Sequence, residues 1–186
     1  MPFDAKAYGT QVAEILALDQ SGQRLIPLVS GVCSSEAARG RLKKLEAADL
    51  FPTATAPREA LGGLWLYFSC FNECHEIVQD LNSPEASFWH AILHRQEPDD
   101  GNAAYWFRRL GRHPVFDPLA EESRKILARF PKAEFRVGLK HWDPYAFIAY
   151  CGRARRQPGT PQEQAAMEIQ RAEWQILFDY CAKAPA

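Results

Sequence analysis

Prolines stand at the openings and closings of helix-patterned segments, and that punctuation constrains the fold more than any other feature of the chain. Asp143-Pro144 and Thr160-Pro161 each set a capping side chain before a proline, and Pro84 opens a third helical stretch. Proline suits the first helical turn, where its missing N–H would have no partner, and it breaks a helix interior. Pro98, Gly111 with Pro114, and Pro131 then read as stops. Glu163, three residues after Thr160, completes the spacing of a capping box.

Between these marks apolar residues recur at helical spacing. The pattern predicts helices over residues 4–19 (with Val12, Ile15 and Leu16 inward), from Ser34-Ser35-Glu36 to 48, over 58–81, 84–97, 102–110, 118–130, 143–155 and 160–181. The 58–81 stretch carries Leu61, Leu64, Trp65, Phe68, Phe71 and Ile77 nearly all round, so it is expected as one long central helix. Residues 23–32 and 132–140 are ambiguous between strand and irregular chain, giving at most one short strand pair. The expectation is an all-α single domain over 1–186, with seven or eight helices wrapped around the central one. Residues 58–181 form its motif-bearing core, and 1–57 read less regularly.

The 186 residues, 47% of them hydrophobic, suffice for a substantial core. Twenty-two basic against 23 acidic side chains leave a formal charge of -1, so no global field attracts nucleic acid, and Arg153-Ala-Arg-Arg156 is only a local argument for it. No apolar run reaches the length of a membrane span, and the N-terminus lacks the pattern of a signal peptide. The expected setting is therefore soluble and cytoplasmic, without a membrane partner. The five cysteines, at 33, 70, 74, 151 and 181, form no CxxC and are expected to be mostly buried thiols. No oligomeric state follows from the sequence.

Side chains able to do chemistry crowd into about a third of the chain. His90 and His94 are four apart, so both imidazoles should leave one helix face. On the preceding helix, Asn72, His75, Glu76 and Gln79 form one polar stripe, and a buried helix should not carry such a stripe idly. Glu97 shares the face of His90 and His94, while Asn102, Tyr105, Trp106 and Arg109 share a face of the next helix.

Trp89-His-Ala-Ile-Leu-His-Arg-Gln-Glu-Pro-Asp99, followed by Asn102-Ala-Ala-Tyr-Trp-Phe-Arg-Arg-Leu-Gly-Arg-His-Pro-Val-Phe116, resembles an uncharacterised family of bacterial and fungal proteins. That family's patterns are close to WHxIxHRREPD and NAKYWFRRVGxHPVF. Trp142-Asp-Pro-Tyr145 and the stretch from Glu173 to Cys181 are similar to it as well. Gln96 replaces an arginine frequent in the pattern, and Ala104 a lysine, so this protein does without those two cations. The resemblance carries no assigned activity. It marks the crowded third as a family signature.

Three readings of that third stay open. In the first, His90 and His94 bind a divalent metal, zinc or iron, with His75 or Glu76 as third ligand, or His75 as a base, and an open position for water. Glu76 or Glu97 would then act as acid/base or orienting partner, Arg109 would face a substrate, and hydrolysis is the least committed reaction. In the second, a metal-free pocket uses Arg95, Arg108, Arg109 or Arg112 to hold a small anionic or sugar-like ligand between Trp89, Tyr105 and Trp106, with His75, His90 or His94 as acid or base and Asn72 and Gln79 as further contacts. In the third, a helical interaction module without catalysis contains a buried histidine network. His113 is expected to stabilise a helix end, His141 to be local structure, and Trp65, Phe68, Phe71 and Trp174 to be core.

Overall fold

The computed structural model describes residues 3–137 and 141–184 and is all-helical there, with no strand among the described residues. The ten α-helices are α1 (Thr10–Leu16), α2 (Glu36–Leu42), α3 (Ala47–Leu50), α4 (Pro57–Tyr67), α5 (Phe71–Val78), α6 (Pro84–Gln96), α7 (Asp100–Leu110), α8 (Phe116–Ala128), α9 (Pro144–Ala154) and α10 (Pro161–Ala182). Eight expected segments become ten because two of them, 34–48 and 58–81, are each broken once. Residues 23–32 and 132–137 run irregularly, and 138–140, the rest of the second ambiguous stretch, lie outside the described residues.

The caps act where the sequence places them. Asp143 accepts from the N–H groups of Tyr145 and Ala146 at 2.9 and 3.0 Å, and Thr160 Oγ1 accepts from Glu163 N. The Glu163 carboxylate reaches back to Gly159 N at 2.7 Å, one residue earlier than a strict capping box requires. Ser35, Ser83 and Asp99 cap α2, α6 and α7 in the same manner.

The expected long central helix is corrected to a corner. Ser69 adopts φ 57°, a left-handed conformation that ends α4, and α5 sets off from Cys70. The reason lies far away in sequence. The Arg24 guanidinium donates to the Tyr67 carbonyl and to Ser69 Oγ, while Ser34 N donates to the Phe68 carbonyl at 2.7 Å. Carbonyls freed at the end of a helix need partners, and the 24–34 segment supplies them. Cys33 and Cys70 are joined by a disulfide at this corner, so only Cys74, Cys151 and Cys181 are the buried thiols expected.

Buried residues from Ala5 to Ala182 form one connected core. At its centre α4 meets α6 and α10 rather than running on alone. Trp174 Nε1 donates to Gly63 O at 2.7 Å, and Trp89 packs so closely on Gly63 that an added Cβ would lie 2.7 Å from Trp89 Cζ2. Trp65, Phe68 and Trp174 are core as expected, and Phe71 is partly buried against it.

Candidate metal centre

Helices α5, α6 and α7 pack side by side in chain order. The α6 spacing of four residues puts the His90 and His94 rings nearly parallel, with centroids 4.8 Å apart. Because the chain turns at Ser69, α5 folds back on α4, lies against α6 and presents His75 edge-on to both histidines, at 4.8 and 5.9 Å. One ring nitrogen from each of the three lies within 4.8 Å of the others.

Trp106 of α7 stacks on His90 at 3.9 Å. His90 is 3% exposed, and its Nδ1 has no hydrogen-bond partner among the described residues. Burial pushes its pKa down from the ordinary 6.5 to about 3, and the positive potentials of His94, His75 and Arg109 add to that. At neutral pH it is an uncharged imidazole with a free lone pair, the form that ligates metals. His94 Nδ1 lies 3.0 Å from Glu97 Oε2. Arg109 extends over the Trp106 ring at 5.1 Å and donates to Asn82 Oδ1 at 2.8 Å. Tyr105, half exposed, sets its edge on Trp106 at 5.4 Å.

His75, His90, His94, Glu97, Tyr105, Trp106 and Arg109 thus share one region, and the other singled-out residues do not. Asn72, Glu76 and Gln79 are exposed along the outer side of α5. The inference from a buried helix fails because α5 is a surface helix, for which a polar stripe is the ordinary solvent face. Trp89 is wholly buried against Gly63, so it is core rather than the wall of a ligand site.

Arg95 is also removed from the ligand set. Its guanidinium pairs with the Glu173 carboxylate, donates to Gln170 Oε1 at 3.1 Å and stacks on Phe147 at 4.6 Å, with all three polar groups buried. Gln170 in turn donates to the carbonyls of Ile26 and Pro27. Sequence reasoning missed these partners, although Gln170 and Glu173 are polar residues three apart on one face of α10, among apolar neighbours. Arg155, in the basic run near 153–156, is occupied by Asp100 at 2.6 Å and by the Arg95 carbonyl.

Arg108 faces away from the histidines. With Arg112 it lines a cleft of about 880 Å³ where the end of α7 meets the starts of α8 and α9. His113 stabilises a helix end as expected: its Nδ1 accepts from Val115 N at 3.2 Å, just ahead of α8, and its Nε2 lies 3.5 Å from Glu85. His141 is exposed on the cleft wall. No helix among the described residues is long and apolar enough to cross a membrane. Compared with known proteins, the chain matches no family model, no curated protein and no solved structure.

Proposed function

We propose that this protein is a metal-dependent hydrolase in which His75, His90 and His94 hold a divalent zinc or iron ion. The observation that carries the reading is the approach of three imidazole nitrogens to within 4.8 Å, drawn from two helices around the buried His90, whose Nδ1 has no hydrogen-bond partner among the described residues. A tetrahedral zinc with bonds of about 2.0–2.1 Å spaces its ligands about 3.3 Å apart, so the rings would close by up to about 1.5 Å. His75, half-buried on a surface helix, has the freedom to make that adjustment.

Three protein ligands leave a fourth position for water or for a small-molecule substrate, the arrangement of catalytic rather than closed structural sites. The metal supplies an activated water when bound. Glu97 beside His94 Nδ1 would fix that ring's tautomer and raise its basicity, as carboxylates behind ligating histidines do. Arg109 and Tyr105 stand at the rim, where a substrate anion or ring would meet them.

A second reading, a metal-free stacked network that holds three helices in one packing, rests on the 3.9 Å contact between His90 and Trp106. Elemental analysis of untagged protein separates the two. Near-stoichiometric zinc or iron that is lost in the His90→Ala/His94→Ala variant supports the metal centre. Absence of metal from the protein, with none taken up on titration, leaves the network.

A further inference from the structure

We propose that the cleft at the end of α7 is a second, separate site, which binds a small aromatic or otherwise apolar molecule carrying one carboxylate. Its volume, about 880 Å³, falls in the range of small-molecule pockets. Phe107, Phe116, Trp142, Pro144 and Tyr145 give it apolar walls. Those walls are fixed beforehand: Trp142 is buried against Phe135 and Phe147, and Phe116 packs on Phe88 at 5.5 Å. A site already shaped loses little order when a ligand enters.

The polar groups specify the charge of the ligand. Arg108 and Arg112 are exposed on the cleft and take part in no ion pair or hydrogen bond among the described residues. Arg95, Arg109 and Arg155, by contrast, are each held by a partner: Glu173, Asn82 and Asp100. Two free guanidinium forks on one aromatic-walled cleft are the usual apparatus for an organic carboxylate. Helix α8 begins on the same cleft, so the positive end of its dipole adds to the positive potential there.

Two carboxylates also line the cleft, and they set limits. Asp143 is occupied in capping α9. Asp117, in the first turn of α8, opposes an anion directly. Its effect gives the proposal a signed consequence, because removing that charge should tighten binding.

The test is NMR titration of the ¹⁵N-labelled full chain with benzoate, 3-phenylpropionate and indole-3-acetate, each beside its neutral amide. The Trp142 indole resonance, assigned with Trp142→Phe, reports occupancy. Saturable shifts are expected for at least one carboxylate, with its amide binding about tenfold weaker. The Arg108→Ala/Arg112→Ala variant should lose about tenfold or more in affinity, and Asp117→Asn should gain severalfold. These residues are exposed, so the remaining spectrum confirms that the variants stay folded. A chelator should change nothing, which keeps this result independent of the histidine centre. No shift of Trp142 with any of the three acids, equal binding of acid and amide, or binding indifferent to the arginine pair would each overturn the proposal.

Discussion

Arg95→Met is the perturbation whose size the structure fixes best. Arg95 and Glu173 are both fully buried, and the guanidinium is the only cation that Glu173 pairs with among the described residues. Removing one member of a buried pair leaves a desolvated charge and costs about 3–5 kcal/mol. Contact with the Phe147 ring adds on the order of 1 kcal/mol, and part of the lost volume is restored by methionine. A net loss of about 4 kcal/mol is expected, a large share of the 5–15 kcal/mol typical of folded domains. For a chain of this size it should lower Tm by roughly 8–16 °C. Urea titration and thermal melting followed by circular dichroism measure both quantities. The decisive comparison is Arg95→Met/Glu173→Met, which removes both charges and should be more stable than either single variant. A single-variant loss below about 1 kcal/mol, or a double variant as unstable as the two singles summed, would refute the account of a desolvated, mutually dependent pair.

Two further expectations are simpler to read. The depressed pKa of His90 means that between pH 6.5 and about 3 the unfolded chain binds a proton that the folded chain refuses, so stability should fall with pH across that window. The loss should approach about 3 kcal/mol by pH 4 in chelator-treated protein, and His90→Gln should flatten that part of the curve; an unchanged profile in the variant would discount His90 as its source. Gly63→Ala should destabilise by about 1–3 kcal/mol because its Cβ would meet the immobile Trp89 ring, whereas Gly40→Ala, exposed on α2 with open space around it, should stabilise by up to about 1 kcal/mol. Equal signs in equilibrium unfolding would remove the steric argument.

The parts legible in the sequence were those decided locally. Proline after a capping Asp or Thr announced α9 and α10, because the cap bonds form within three residues. The i, i+4 spacing placed His90 and His94 on one face for the same reason. The corner at Ser69 was invisible because its partners, Arg24 and Ser34, come from 35 or more residues earlier, and the apolar pattern continues through it unbroken. With the corner in place Asn72, Glu76 and Gln79 face solvent, whereas a helix buried all round would make the same residues a polar stripe pointing to a site. Arg95 shows the converse. Adjacent to His94 and charged, it resembled a ligand contact, yet the 100° step to the next residue turns it into the core, towards Glu173.

The corner also governs how the three histidines come apart. Gly63 touches Trp89, the neighbour of His90, and a straight helix would carry His75 about 18 Å beyond that contact. Instead α5 is a segment of eight residues, too short to persist by itself, held through Cys74 and Val78 and through Glu73 to Arg39. Its detachment is a smaller event than global unfolding, and it withdraws one imidazole while the other two remain together on α6. Whatever rests on all three rings therefore has an exit that opens the core only along α5, at Cys74 and Val78, and its residence time follows the lifetime of the α5 docking rather than the stability of the protein as a whole.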